Sequence, residues 1–305
     1  MVEYYENVPS LEVKMKIQHF FDPDTFTLTY LVIDEITKDT VIIDPVLDFD
    51  PPSGKIDDHS IQEVLDYIRQ NQLNIRAILE THAHADHLSS SQILKQLFPQ
   101  AVHAIGEKIK IVQEVFKSHF NLDDLKVDGS QFDHLFKDFE EISFGSLHMK
   151  AIPTPGHTPA CMSYLFGNSL FVGDSLFMPD YGTGRCDFPR GSARNLYNSV
   201  SKVLYSLPND TKVYVGHDYA PNGREMLFQT TIGESKLKNI QLSAKTTETE
   251  YVELRESRDK NLNAPRLLLP SIQVNIDAGH LPSIEPNGKS YLKLPLSIQL
   301  KSGKL

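Results

Sequence analysis

Strand-like and helix-like apolar patterns alternate through the first hundred residues. Runs rich in β-branched and aromatic side chains at 26–33 and 40–44 flank a charged turn, which predicts an antiparallel hairpin. Apolar residues at helical spacing within 60–70 predict a helix, and the short apolar run at 75–79 predicts a buried strand. A second helix is predicted over 88–98. The chain therefore opens with antiparallel strands and continues as alternating helix and strand.

The same alternation continues to about residue 240 and predicts the α/β class. Short strands are predicted around 102, 147–152, 162–166, 170–172 and 213–215, with helices over 105–118 and 193–206. The last part changes character, because 248–262 has a charged helical pattern and the five prolines within 265–295 favour an extended path over the surface. We predict one catalytic domain, 1–240, on which a C-terminal helix and extended tail, 241–305, are packed.

The formal net charge of −10 and the pI near 5.6 narrow the choice of partners. Nucleic acids and anionic membranes bind clustered cations, so neither is an expected partner. Charged residues interrupt the first twenty positions and no later apolar run reaches membrane-spanning length, so a cytoplasmic protein is expected. The two cysteines, Cys161 and Cys186, are too few for a disulfide framework, which fits a reducing compartment.

Three histidines and a carboxylate lie within the segment 81–87, THAHADH. In an extended segment His82 and His84 point to the same side. Asp86 and His87, where the next helix begins, can point toward a neighbouring metal position. Two adjacent metal positions are therefore geometrically feasible. The alternative is a solvated loop that happens to be rich in histidine.

Three further motifs follow in order along the chain. His157 lies in the rigid turn TPGHTP, Asp174 ends the run FVGD, and His217 ends the run VYVGH. Each residue alone is typical of a cap or a turn. The ordered set, HxHxDH, then PGHT, then GD, then GHD, indicates a metal site at the strand ends of an α/β sheet.

This ordered set resembles the metallo-β-lactamase superfamily over roughly Lys16 to Gly223. The resemblance implies an αββα sandwich with a metal site at the edge of its two sheets. An amidohydrolase barrel also begins with an HxH motif, but it does not continue into DH and requires eight βα units. We therefore rank the barrel far behind.

Longer stretches are similar to one group within that superfamily, the persulfide dioxygenases of bacterial type. They are THAHADHLS, IPTPGHTPACMS, FMPDYGTGRCDFP and, near the end of the chain, LPSIQVN. Glyoxalase II is the nearest competitor. The resemblance to the dioxygenases implies an enzyme that oxidises glutathione persulfide with O2 to sulfite and glutathione.

The same resemblance implies one Fe(II) per chain, held by His82, His157 and Asp174. Two imidazoles and one carboxylate on one face leave open positions, as in non-haem iron oxygenases. Four further candidate ligands are His84, Asp86, His87 and His217. Ligand counting alone favours two metals, so these four form either a second metal site or a set of groups that orient the ligands through hydrogen bonds.

Arg185, Tyr181 and Tyr219 are the candidates for substrate binding. Arg185 either clamps a glutathione carboxylate or braces the site by pairing with Asp187, and we favour bracing. The tyrosines either face the substrate or pack with hydrogen-bonded hydroxyls. Cys186 is interpreted as a small buried residue rather than a thiol of low pKa, and Cys161 as part of the core.

Three functions compete at this point. The first is an iron-dependent persulfide dioxygenase, the second a dinuclear zinc hydroxyacylglutathione hydrolase of the glyoxalase II type, and the third a non-enzymatic binding module that kept the fold. The family also suggests a homodimer and a rhodanese partner that hands on sulfur, two expectations that the residues themselves do not decide.

Overall fold

The computed structural model describes residues 14–296, and two six-stranded sheets form its centre. The first sheet has the order β1-β2-β3-β6-β8-β9, and its strands are Met15–Asp22, Thr27–Asp34, Asp39–Ile43, Asn74–Leu79, Val102–Gly106 and His134–Phe136. The second sheet runs from β10 to β15 in chain order, and its strands are Glu141–Phe144, Leu147–Pro153, Met162–Phe166, Ser169–Phe171, Lys212–Tyr214 and Gln229–Thr231. A small third sheet joins β4, β5 and β7, which are Val46–Asp50, Lys55–Asp57 and Leu88–Ser89.

Seven α-helices cover these sheets within the described residues. They are α1 to α7, with the bounds His59–Asn71, Ser91–Leu97, Ile109–Phe120, Ala193–Asn198, Ile232–Lys238, Glu248–Asp259 and Leu268–Asn275. Beyond α4 the helical path continues through a π-helical segment, Ser199–Val203, and a 3₁₀ turn, Leu204–Ser206. None of the helices within 14–296 combines the length and the apolarity that a bilayer crossing requires.

The pattern along β2 shows how the layers form. Leu28, Tyr30 and Val32 join the cluster between the two large sheets, whereas the alternating Leu31 and Ile33 pack on the other face with the apolar side of α1. A strand that is buried on both faces shows continuous rather than alternating hydrophobicity. This arrangement confirms the predicted αββα sandwich.

Most predicted elements are confirmed, and two helix starts are wrong. The hairpin of β2 and β3 and the helix α1 lie where the pattern placed them. The helix predicted over 88–98 begins only at Ser91, because Leu88–Ser89 pairs with β4 as a short strand. The helix predicted over 105–118 begins at Ile109, because β8 continues to Gly106. Short apolar runs fit both periods, so periodicity alone could not place these boundaries.

The predicted tail also needs one correction. The charged helix is confirmed as α6, but the segment 265–295 is not extended throughout, since it contains the helix α7. The extended path was predicted from the prolines of this segment, and one of them, Pro270, lies within the helix. It lies in the first turn of α7, where a backbone N–H has no partner within the helix, so proline is tolerated there.

Helix α6 contains a buried ion pair whose two residues also form hydrogen bonds with other segments of the protein. Arg255 donates to Asp259 from Nε at 2.9 Å, and a second nitrogen of the same guanidinium donates to Gln241 Oε1 at 3.0 Å. Asp259 in turn accepts a hydrogen bond of 2.8 Å from the backbone N–H of Cys186. The pair therefore connects α6 to the turn that follows Asp174.

Replacement of Arg255 by Met should lower the free energy of unfolding by about 3–5 kcal/mol, because it leaves the carboxylate of Asp259 buried without its cation. Urea unfolding monitored by circular dichroism measures the change. The matched control is Arg258→Met on the same helix, where the side chain is exposed and a change within about 0.5 kcal/mol is expected. Equal losses in the two variants would contradict the role of the pair.

Candidate metal centre

The strand directions bring the candidate ligands to one edge of the sandwich. In the second sheet β11, β13 and β14 run in the same direction, because β12 is antiparallel to both β11 and β13, and β13 is parallel to β14. His157, Asp174 and His217 each follow the carboxyl end of one of these strands. The segment 81–87, named here the metal loop, follows the end of β6 in the first sheet. Strand ends of this kind are the usual location of sites in α/β folds.

The residues of the metal loop alternate between its two sides. Ala83 and Ala85 join an apolar cluster that includes residues of α3 and α7. His82 and His84 lie on the other side, where their ring centroids are 4.1 Å apart. All four residues are buried.

His157 lies in a turn in which the preceding residue must be glycine. Gly156 has a φ of 153°, and a Cβ at this position would lie 2.4 Å from the Cα of Leu196. The ring of His157 is oriented by a hydrogen bond of 2.7 Å between Nδ1 and the carbonyl of Arg185. Its Nε2 is therefore free to ligate, and it lies 3.5 Å from Oδ2 of Asp174.

His82, His157 and Asp174 form one group whose ligand atoms all lie within 4.8 Å of one another. The buried Nε2 of His82 makes no hydrogen bond with any residue of 14–296, and Oδ1 of Asp174 has only a 3.3 Å contact with Nε2 of His217. A buried polar atom without a partner costs about 1–3 kcal/mol, so such atoms require another bonding partner. Two imidazole nitrogens and a carboxylate that meet at one point are a suitable donor set for a divalent metal ion. The residues therefore fit the metal that the motif predicted.

The charges of this group also suit a cation. Burial alone would raise the pKa of Asp174, but His217 and His157 hold the pKa of this carboxyl well below its usual value. Burial lowers the pKa of His82 well below that of a free imidazole. Near neutral pH the group therefore presents an anionic carboxylate and at least one neutral imidazole, the forms in which these side chains bind metals.

A second group lies beside the first and consists of His84, Asp86 and His217, again with ligand atoms within 4.8 Å of one another. Nε2 of His217 is 3.1 Å from Oδ2 of Asp86 and 3.3 Å from Oδ1 of Asp174. Burial alone would lower the pKa of His217, but these two carboxylates raise it to about 9. His87 is also close, since its Nδ1 contacts the carbonyl of Leu88 and its buried Nε2 has no hydrogen-bond partner within 14–296.

Two carboxylates behind the metal loop were missed by the sequence analysis. Asp44, at the end of β3, accepts hydrogen bonds from both the backbone N–H and the hydroxyl of Thr81, and its Oδ1 lies 3.0 Å from Nε2 of His84. Glu80 lies 3.4 Å from the same nitrogen. Burial alone would lower the pKa of His84, but Asp44 raises it well above the usual value. The position of Asp44 directly after a buried strand, as with Asp174, was the signal that could have revealed it.

A cavity of about 310 Å³ opens onto the metal group. His157 and Asp174 line its base, and its walls include the predicted Tyr181 and Tyr219, whose rings stack with centroids 4.7 Å apart. Phe177, which the sequence analysis did not select, contacts both tyrosines edge-on. The tyrosines thus pack against aromatic neighbours and line the cavity at the same time.

Arg185 makes the predicted pair with Asp187. Its Nε and one terminal nitrogen donate to the two carboxylate oxygens of Asp187, both at 2.6 Å, and the other terminal nitrogen donates to the carbonyl of Asn263 at 2.8 Å. The geometry therefore favours bracing, and the carbonyl of Arg185 also orients His157. Because Arg185 lines the cavity as well, its contact with substrate stays a prediction.

The C-terminal region contributes cations to the cavity that the sequence analysis overlooked. Arg258, on α6, and Arg266, just before α7, both line it and are exposed. Their side chains make no ion pair with an acidic residue of 14–296. The cavity lining also includes the carboxylates of Asp24, Asp86 and Asp174, so these two guanidiniums are local cation sites at which an anionic group of a ligand can bind.

The two cysteines are structural. Cys161 is buried, and burial raises the pKa of its thiol to about 12. Cys186 is also buried, and burial raises the pKa of its thiol far above the usual value. Both thiols are therefore protonated near neutral pH and poor nucleophiles, as the interpretation of Cys186 as a small buried residue requires.

The fold and the site together define a metal-binding enzyme of the αββα class. The sequence model described as the metallo-beta-lactamase superfamily matches residues 22–217. The chain belongs to the metallo-β-lactamase superfamily.

Individual relatives carry names from both competing classes. "Glyoxylase B2" of Dictyostelium discoideum is 50% identical over 93% of this chain and 98% of its own length. The mitochondrial persulfide dioxygenase ETHE1 of Homo sapiens is 29% identical, with 82% of each chain covered. The crystal structure of ETHE1 from Myxococcus xanthus matches with a TM-score of 0.70 and 32% identity, covering 87% of this chain and all of that chain.

Replacement of Asp174 by Ala should abolish metal retention at the His82 group, because it removes the only anionic ligand and leaves two imidazoles. Elemental analysis of anaerobically purified protein measures the metal content per chain. The control is Asp180→Ala, which removes an exposed carboxylate paired with Arg224 outside the metal group and should leave the metal content unchanged. Full occupancy in Asp174→Ala would show that the ligand assignment is wrong.

Proposed function

We propose that this protein is an iron-dependent persulfide dioxygenase that oxidises glutathione persulfide with O2 to sulfite and glutathione. The observation that carries the proposal is the His82, His157 and Asp174 group, two imidazoles and one carboxylate. His157 and Asp174 line a cavity that Arg258 and Arg266 also line. This ligand set is typical of non-haem iron oxygenases. The similarity to the persulfide dioxygenase ETHE1 of Homo sapiens and to ETHE1 of Myxococcus xanthus supports the same function.

The side chains of this group hold one Fe(II) in the proposal, and the iron supplies open coordination positions and redox chemistry for sulfur and dioxygen. Overall, the terminal sulfur gains both atoms of O2 and one oxygen from water, while glutathione, sulfite and two protons are released. The protein holds the ligands rigidly, because Nδ1 of His157 contacts the carbonyl of Arg185 and Nδ1 of His82 lies 3.0 Å from the hydroxyl of Thr81. Fixed ring orientations of this kind keep the metal affinity high.

The cavity suits a small anionic thiol derivative. Its aromatic walls, Phe177 and Tyr219, exclude water from the reacting sulfur, whereas Arg258 and Arg266 lie where they can attract carboxylates. Glutathione has two carboxylates and a flexible chain. Arg185, Tyr181 and Tyr219 remain our predicted substrate contacts, and Arg185 would contact substrate while it stays paired with Asp187.

A dinuclear hydroxyacylglutathione hydrolase is the second candidate. The observation that favours it is the second group, His84, Asp86 and His217, next to the first. The likeness to the protein named Glyoxylase B2 points in the same direction. We prefer the dioxygenase because its motifs, which include FMPDYGTGRCDFP, extend beyond the metal ligands that both classes share.

Homodimerisation, a rhodanese partner and a cytoplasmic location belong to the same proposal. The first two are expectations from the family, and the third is an expectation from the composition of the sequence. Size-exclusion chromatography with light scattering tests the first. Sulfur transfer from a rhodanese, followed as sulfite release, tests the second.

The reaction itself is tested with an oxygen electrode. Anaerobically purified protein with one iron per chain should consume O2 when glutathione persulfide is added, and it should not hydrolyse S-lactoylglutathione. His157→Ala should lose the O2 uptake, whereas Asp180→Ala, which is outside the metal group, should retain it. Two zinc ions per chain, with thioester hydrolysis and no O2 uptake, would favour the hydrolase instead.

His84→Ala tests how many metals the site binds. If His84 only orients the ligands, the variant should still bind one iron when metal is supplied in excess, with affinity or activity lower by about tenfold to a hundredfold. The measurement is the number of metal ions per chain in the wild type and the variant. Two ions in the wild type but one in His84→Ala would support the dinuclear hydrolase.

A further inference from the structure

Asn275, the last residue of α7, makes three hydrogen bonds to the metal loop and the residues that follow it. Its Nδ2 donates to the backbone carbonyls of His84 and His87, both at 2.8 Å, and its Oδ1 accepts from the backbone N–H of Ser89 at 2.9 Å. The side chain is 4% exposed. One amide group from the C-terminal region therefore satisfies three buried backbone groups around two candidate metal ligands.

Apolar packing also joins α7 to the metal loop. Ile272 of α7 and Ile276, the residue after this helix, pack in one buried cluster with Ala83 and Ala85 of the metal loop. The alanines pack in this apolar cluster, whereas the rings of His82 and His84 lie together on the other side of the loop. Helix α7 thus covers the side of the metal loop that faces away from the metal.

Helix α7 is itself positioned by other contacts. Gln113, from α3, donates to the carbonyl of Ile276 at 2.9 Å, and Gln92, from α2, donates to the carbonyl of Ala278 at 2.8 Å. These bonds hold the end of α7 without touching the metal loop. The position of Asn275 is therefore set partly by the hydrogen bonds of Gln113 and Gln92, which are separate from the bonds that Asn275 makes to the metal loop.

We propose that Asn275 is a positioning residue of the metal centre, and that the C-terminal helix is part of the apparatus that binds the metal. Fixing the carbonyls of His84 and His87 sets the backbone at both residues, and the backbone in turn sets the directions of the two imidazole rings. Asparagine suits this role because it supplies two N–H donors and one acceptor. The proposal rests on the metal centre and holds for both candidate functions. With two metals Asn275 orients the ligand His84, and with one metal it acts on the ligand His82 through His84, whose ring centroid lies 4.1 Å from that of His82.

The test compares Asn275→Ala and Asn275→Asp with the wild-type full chain, using Co²⁺ as the metal probe. Both variants should bind Co²⁺ about tenfold to a hundredfold more weakly, as is typical when a group that orients metal ligands is lost. Asn275→Asp retains an acceptor for the N–H of Ser89 but cannot donate to the two carbonyls. The visible absorption bands of bound Co²⁺ should shift in both variants, because the ligand geometry changes.

Gln273→Ala is the matched control. Gln273 is buried on the same helix, two residues earlier, but its amide bonds only to the carbonyls of Leu269 and Lys293 and to the N–H of Lys293. Its removal should lower stability while the Co²⁺ affinity and spectrum stay those of the wild type. Equal losses of Co²⁺ affinity in Gln273→Ala and Asn275→Ala, or wild-type affinity in the Asn275 variants, would overturn the proposal.

Hydrogen exchange on the unaltered protein keeps the proposal testable if the variants fail to fold. The N–H of Ser89 should exchange as slowly as the amides in the last turn of α7, because the two segments open together. Fast exchange of the Ser89 N–H, with slow exchange of the amides in α7, would contradict the proposed role of Asn275. Neither measurement uses the dioxygenase reaction, so its outcome stays separate from that of the proposed function.

Discussion

The structure depends on the burial of many polar side chains around one point. His82, His84, His87, His157, His217 and Asp174 are all buried at one edge of the sandwich. Ionised groups are expensive to bury unless opposite charges and hydrogen bonds compensate them. A divalent cation at the atoms that lack partners would supply that compensation, so the site is as much a requirement of stability as of chemistry. The rest of the fold can be understood as the frame that holds these side chains at the required distances.

The frame works because each ligand side chain has a second partner. Thr81 lies beside Nδ1 of His82, Asp44 lies beside Nε2 of His84, and the carbonyl of Arg185 orients His157. These partners determine which ring nitrogen faces the metal, a choice that the ligand residue cannot make by itself. The C-terminal region extends the same principle, since Arg255 and Asp259 hold the turn after Asp174 and Asn275 holds the metal loop. The region that the sequence analysis left without a role is thus joined to the site at both of its helices.

The two candidate functions share ligand residues and differ in the number and kind of metals that they require. The His82 group alone suits a mononuclear iron, whereas the addition of the His84 group suits two metals. Asp174 faces both groups, because one carboxylate oxygen lies near His157 and the other near His217. In both proposed functions the substrate is a glutathione derivative, and the metal would decide the reaction.

The order of elements, the sandwich class and the candidate metal ligands that the structure brings together were predicted from the sequence, because apolar periodicity and the clustered histidine motifs are local signals. The helix starts at Ser91 and Ile109 were not, since a short apolar run fits a strand and a helix equally well. The sequence alone determined which residue types meet at the ends of the strands. Only the tertiary structure decided the partners of those residues, such as Asp44 for His84 and Asn275 for the metal loop, because hydrogen bonds between distant segments leave no periodic trace in the chain.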